Sequence, residues 1–375
     1  MNPPLAPAKP PPVKSFAEGT SLFEVPLIGG GGALTAAAAG GNTTPFTPIA
    51  KSGFLAKLRY YLSGTLTVGT LGTAYTVPLW RIVQNYTLQN SLNYPYRSLN
   101  GDDIREWARV TAPAGPFDPI INSVRFQNPD VTSTGVKNWA FGWEDNIAQN
   151  DGVNFQRYLL SAMTTSNDLT VLITWLATAN LAQLEANTTV FSALAATCAV
   201  SAEYLTVPDP TKYAWPRRNL VQQVLGDPSF NTPAASGINV VNLTPIQGPE
   251  FTGLGIQVKS SGGTPDTLVP GTSGISEIDV YVNGTIPLKQ FTLTDLLDKY
   301  EHLFMRSPVN GYLYLDLSSD LSIPNVMSHL HRKVLSTSKY SQISIRVTTN
   351  ANFTAGAGAV INLLKRTQQT YANNQ

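Results

Sequence analysis

The chain has 375 residues, 42% of them hydrophobic and only 13% charged. That is enough to bury two cores, with far less charge than an ordinary cytosolic surface carries. A formal net charge of +1 argues against a dedicated nucleic-acid coat, because phosphate binding needs clustered Lys and Arg.

Cys198 is the only cysteine, which excludes an intramolecular disulfide and a thiolate zinc cluster. The opening MNPPLAPAKPPPVKSF lacks the basic stretch and apolar core of a signal peptide. The most apolar run, LTVLITWLATANLA from Leu169, is too short and too polar to span a bilayer. The chain therefore reads as soluble and made in a cytoplasm.

Residues 1–45 read as a flexible N-terminal arm. Pro3, Pro4, Pro7, Pro10, Pro11 and Pro12 favour extended polyproline, and GGGGALTAAAAGG from Gly29 is a featureless linker. The arm is either a disordered tail or a segment that orders against a neighbour or a lipid surface.

From Phe46 the pattern has period two. In GFLAKLRYYLSGTLTV the residues Phe54, Leu58, Tyr60, Leu62, Leu66 and Val68 lie on one side, and Lys57, Arg59, Ser63 and Thr65 on the other. The same alternation predicts strands at Val153–Leu159, Leu169–Trp175 and Cys198–Tyr204. The Ala-rich stretch from Leu176 to Ala199 is poor in β-branched residues and could hold a helix, which would alter the first domain's strand count.

Residues 208–237 break the rhythm with Pro208, Pro210, Pro216 and Pro228, and are expected to stay out of any sheet interior as a linker. Alternation resumes at Leu254–Val258, Ile278–Val282, Tyr312–Tyr314, Ile343–Val347 and Ala359–Leu363. The expected layout is a domain over 46–207, the linker over 208–237 and a second domain over 238–375.

One segment occurs twice. YPYRSLNGDDIREW from Tyr94 overlays IPLKQFTLTDLLDKY from Ile286 without a gap, so that Pro95 falls on Pro287, Leu99 on Phe291, Asp103 on Asp295 and Ile104 on Leu296. Each copy follows a period-two run and begins with a proline-led turn. Asn100 and Thr292 are good helix N-caps, and Asp103 and Asp295 stand where a carboxylate completes a capping box. Because strands precede and follow each copy in the same order, whole domains are expected to be repeated as two β-sandwiches.

No catalytic, cofactor-binding or metal-binding residue is expected. His329 and His331 share one side of a strand but lack a third ligand, with His302 elsewhere. Cys198 has no motif histidine beside it, and Gly29–Gly32 lack the Gly-Lys-Ser/Thr of a phosphate cradle. Asp102/Asp103 and Glu144/Asp145 could serve as acid and base only on paper. Asp316 and Asp320 lack the spacing of a calcium loop. The sequons at Asn187 and Asn283 read as compositional, and the basic spot at Trp215 is a subunit contact or a solvated turn.

With two sandwiches, an arm and no site, the chain resembles the double jelly-roll major capsid proteins of tectivirus-like, tailless icosahedral phages with an internal membrane. The likeness rests on TPIAKSGFLAKLRYYLSGTLTV, PLWRIVQNYTLQNSLNYPYRSLNGDDI, CAVSAEYLTVPDP and SEIDVYVNGTIPLKQFTLTDLLDKYEHLF, and spans roughly Pro45 to Arg366. The resemblance implies an all-β fold of two tandem eight-stranded jelly rolls side by side, with short helices in loops and an extended N-terminal arm. It implies a homotrimer forming pseudo-hexameric capsomers of a virion capsid. Neighbouring capsomers, penton or minor capsid proteins and, through the arm, the internal membrane are the implied partners, with no sequence-specific nucleic acid. A sandwich-type glycan- or receptor-binding virion protein is the alternative.

Overall fold

A computed structural model describes residues 21–35, 47–48, 54–90, 92–147, 160–161, 169–206, 220–231, 233–243, 250–317, 335–336, 340 and 342–370. The first half contains β1 (Ser21–Thr35), β2 (Thr47–Pro48), β3 (Phe54–Thr70), β4 (Val83–Asn90) and β5 (Pro95–Leu99). Helix α1 (Gly101–Thr111) follows, then β6 (Gly135–Asn146), β7 (Leu160–Ser161), β8 (Leu169–Trp175) and β9 (Val190–Thr206). The second half runs β10 (Leu220–Asn231), β11 (Gly237–Asn242), β12 (Glu250–Ser260), β13 (Thr264–Pro265), β14 (Ile275–Val282) and β15 (Ile286–Thr292). Helix α2 (Leu293–Phe304) then leads to β16 (Tyr312–Asp316), β17 (Leu335–Ser336), β18 (Ile343–Thr349) and β19 (Val360–Thr370).

In the first half, β1-β9-β3-β6 faces β5-β4-β8-β2. The even residues of β3 turn inward, so Leu58, Tyr60, Leu62, Leu66 and Val68 meet Tyr86, Leu88, Val171 and Ile173 in one core. The second half repeats the order as β10-β19-β12-β16 and β15-β14-β18-β11, each strand in its counterpart's place. Its core gathers Leu254, Ile256 and Val258 with Ile278, Val280, Ile345 and Val347. Each half is thus an eight-stranded sandwich, as the sequence leads one to expect.

The duplication extends to the irregularities. β3 skips a residue against β9 between Leu55 and Lys57, and β12 skips one against β19 between Phe251 and Gly253. The bulge between Val83 and Asn85 recurs between Ile275 and Glu277, and the shift between Leu88 and Gln89 recurs between Val280 and Tyr281. A bulge re-aims every side chain beyond it, so three at matching places are a property of the fold and not of chance.

Three expectations need correction. The Gly-rich part of the arm is no featureless linker: residues 21–35 form β1, antiparallel to β9, with register shifts that take up the glycine run. Residues 220–231 of the Pro-rich segment form β10, which lies inside a ten-stranded sheet between β19 and β5. Pro228 falls in the register shift between Asp227 and Phe230, where a missing N–H costs no ladder bond. The Ala-rich stretch holds only a 3-10 turn, Thr178–Leu184, before β9 takes over. The alternation at Val153–Leu159, and Pro208, Pro210 and Pro216, lie outside the described residues.

The two sandwiches are joined through β10. It pairs in parallel with β5 at Val224–Arg97 and Leu225–Ser98, which fuses four first-half strands to the second half's first sheet.

Candidate functional site

The most chemically dense region is the seam between the sandwiches, built around α1. Asn100 accepts from the Asp103 backbone N–H at 3.0 Å, and Asp103 Oδ2 accepts from the Asn100 N–H at 3.1 Å. Thr292 and Asp295 make the same capping box on α2. The repeat therefore starts both helices by one device, and their fates differ afterwards. α2 buries one face, through Leu293, Leu296, Tyr300 and Phe304, whereas α1 is buried from Gly101 to Val110. Asp102, Asp103, Arg105, Glu106 and Arg109 all lie inside.

Each of these charges is held by named partners. Asp102 Oδ1 accepts from Trp80 Nε1 and Arg81 Nε, both at 2.9 Å, and Oδ2 takes Lys259 Nζ at 3.0 Å from β12. Burial alone would raise this carboxyl; Arg81 and Lys259 outweigh it and hold it well below the usual carboxylate range. Asp103, accepting from the Tyr312 hydroxyl, is pushed up to about 6 by burial. Glu106 accepts from Tyr300 Oη at 2.9 Å and is pushed up to about 7, again by burial. Arg105 and Arg109 share Asp118 Oδ2 at 3.1 and 2.8 Å, and Arg105 stacks 4.0 Å over the Trp80 ring. Arg306, beyond α2, donates to the Arg109 carbonyl at 3.1 Å and the Gly115 carbonyl at 2.9 Å.

Beneath α1 lies a second knot. Arg97 and Asp145 are both fully buried and pair at 3.1 Å. Asp145 also accepts from Tyr86 Oη at 2.8 Å and Trp107 Nε1 at 3.2 Å, while Arg97 donates to the Gln222 carbonyl of β10 at 3.0 Å. One ion pair thus ties both sheets of the first sandwich to the second.

The seam closes against β10 because Gly226 has no side chain: a Cβ there would stand 2.0 Å from Asp103 Oδ2. Gly226→Ala is expected to cost about 1–3 kcal/mol, as overpacking does. Denaturant titration of Gly226→Ala, Asp103→Ala and the double variant should show the two sites coupled, since removing the carboxylate removes the clash.

The carboxylates singled out from the sequence are accounted for structurally. Asp102, Asp103 and Asp145 serve the seam, and Glu144 pairs at the surface with Lys57 and Arg59, each at 3.0 Å. Cys198 is buried and its thiol is pushed up to about 12 by desolvation. His302 is exposed on α2, Asp316 is half-buried on β16, and Asn187 and Asn283 are exposed in turns with φ of 52° and 51°. His329, His331, Asp320 and Trp215 lie outside the described residues. Among the described residues, no three His, Cys, Asp or Glu side chains form a metal-ligand group. Sequence reasoning passed over Arg97, Lys259, Tyr300 and Arg306. No local signal marked them: the charges of α1 share one face, opposite Ile104, Trp107 and Ala108, as on an ordinary amphipathic helix.

No family model matches the sequence, and no curated protein matches it either. Solved structures do. The structure described as the STIV MCP, from Sulfolobus Turreted Icosahedral Virus, superposes with a TM-score of 0.63 at 14% identity, covering 94% of this chain and 97% of that one. The PBCV-1 virus capsid gives 0.64 at 11% identity over 99% and 100%. The major capsid protein P2 from Bacteriophage PM2 gives 0.52 at 9% identity over 94% and 99%. These are double jelly-roll proteins. At such identities the likeness establishes the fold, and the class it defines is the double jelly roll.

Proposed function

We propose that this chain is a major capsid protein whose trimers form pseudo-hexameric capsomers of an icosahedral shell over an internal membrane. The observation that carries the reading is the double jelly roll matched end to end with capsid proteins of three viruses. The duplication supports the arrangement, because a chain with two like sandwiches presents six-fold outlines with three copies. The first roll comprises β1–β9 and the second β10–β19, so the linker proposed at 208–237 shrinks to the residues before β10. Near-zero net charge suits a shell separated from its genome by lipid. The segment before β1 is the part we assign to lipid or to neighbouring capsomers, and penton or minor capsid proteins complete the vertices.

Light scattering on the purified 40.4 kDa chain is expected to give three times the monomer mass, unchanged on dilution through the micromolar range. A monodisperse monomer would overturn the reading. Hexagonally outlined particles in negative stain would strengthen it.

A further inference from the structure

The internal repeat shows how one roll binds the next, and it leaves the same joint half-made at each end of the chain. Within the chain, β10 lies along β19 on one side and along the edge strand β5 on the other. β1 is the counterpart of β10, lying along β9; among the described residues its other edge has no strand. β15 is the counterpart of β5, hydrogen-bonded to β14, and its other edge is likewise without a strand among the described residues. We propose that β1 of one copy adds in parallel to β15 of the next, repeating between copies the β10–β5 joint inside each copy. The proposal rests on the trimeric reading above and specifies its contact.

The matched bulges fix the register. Glu203 on β9 and Arg366 on β19 occupy equivalent places, each being the first residue past the bulge in its pairing with β3 or β12. Glu24 pairs with Glu203 as Val224 pairs with Arg366, so Glu24 stands for Val224. Lys289 stands for Arg97, since each faces its hairpin partner, Val280 or Leu88, just before the register shift. The Val224–Arg97 pair therefore becomes Glu24 opposite Lys289, an acid facing a base. Glu24 is exposed on the sheet surface beside Arg59, and Lys289 lines a groove of about 780 Å³ between β15, α2 and β16.

The remaining contacts translate in the same way. Gln257 and Lys259, which hold Asp102, correspond to Tyr61 and Ser63, and Tyr312 corresponds to Gly142. On α2, Thr294 and Asp295 take the places of Asp102 and Asp103. The buried ions of the inner seam thus become neutral or solvated groups in the outer one. That suits a surface that must stay in water until another copy arrives. The contact is head to tail, and closes into a ring when the last copy's β1 meets the first copy's β15.

The test is Glu24→Cys with Lys289→Cys in the full-length protein. Directly paired strand residues fall within disulfide reach, and the native Cys198 is buried. Mild oxidation is expected to give covalent dimers and trimers on a non-reducing denaturing gel, absent from either single variant. A second measurement uses charge: Glu24→Lys should weaken the trimer and Glu24→Lys with Lys289→Glu should restore it. Trimers that form without the cross-link and ignore the charge reversal would overturn the register while the trimeric reading stands. A monomer under all conditions would overturn both.

Discussion

Asp145→Ala is expected to destabilise the protein by about 3–5 kcal/mol, the cost of leaving a buried charge without its partner. The Arg97 guanidinium would remain fully buried with no counterion, and Tyr86 Oη and Trp107 Nε1 would lose their acceptor. Arg97 also holds Gln222 on β10, so the damage should reach the joint between the rolls. Denaturant titration reads the first effect. Hydrogen exchange at the β10 amides reads the second, as faster exchange than in the parent. The second roll suggests the remedy. The strand registers place Leu315 where the first roll has Asp145, and Lys289 where it has Arg97. One roll has solved the position with an ion pair and the other without a buried acid. Arg97→Met with Asp145→Leu should therefore recover the part of the loss due to the unpaired guanidinium, because an apolar pair escapes the desolvation that the ions suffer. Tyr86 Oη and Trp107 Nε1 would still lack their acceptor. A loss under about 1 kcal/mol for Asp145→Ala alone would mean that water reaches the pair.

What the sequence showed and what it hid divide along one line. The inward residues of β3, β8 and β14 alternate locally, and a half-buried strand writes that pattern into its own residues. The capping boxes at Asn100 and Thr292 were equally legible, because the cap and its carboxylate are three residues apart. β1 and β10 were not. One is rich in glycine and the other carries a proline, so local propensity speaks against both. They are strands because β9 and β19 each offer an edge more than a hundred residues away. The seam was hidden for the same reason. Arg105, Glu106 and Arg109 read as the wet face of a helix until the second roll covers them. Nothing in α1 itself announces Lys259, Tyr300 or Arg306.

The seam should also make stability depend on pH in an unusual direction. Glu106 sits against Arg105 and Arg109 on its own helix, Asp118 on the following loop, Tyr300 on α2, Arg306 beyond it, and Tyr312 and Tyr314 on β16. Its Oε2 has no hydrogen-bond partner and lies 3.8 Å from Arg109 Nε, so the ionised form is poorly served. Burial pushes the group from an ordinary 4.5 to about 7. Below pH 4.5 both folded and unfolded chains carry the proton, and the full stability is present. As pH rises to about 7 the unfolded chain ionises first, and stability falls by about 3 kcal/mol before levelling off. Asp103, raised to about 6, adds to the decline over the lower part of that range. Asp102 acts oppositely. Held well below its ordinary value, it contributes above pH 4 and is lost as the medium becomes more acid. The two trends place the optimum near pH 4, well below the neutral range. Glu106→Gln separates them, because the amide copies the protonated acid. At pH 5 the variant should match the parent within about 1 kcal/mol, and at pH 8 it should exceed it by about 3 kcal/mol. Parallel pH profiles for the two proteins would show that Glu106 is ionised in the fold and that Arg109 pairs with it.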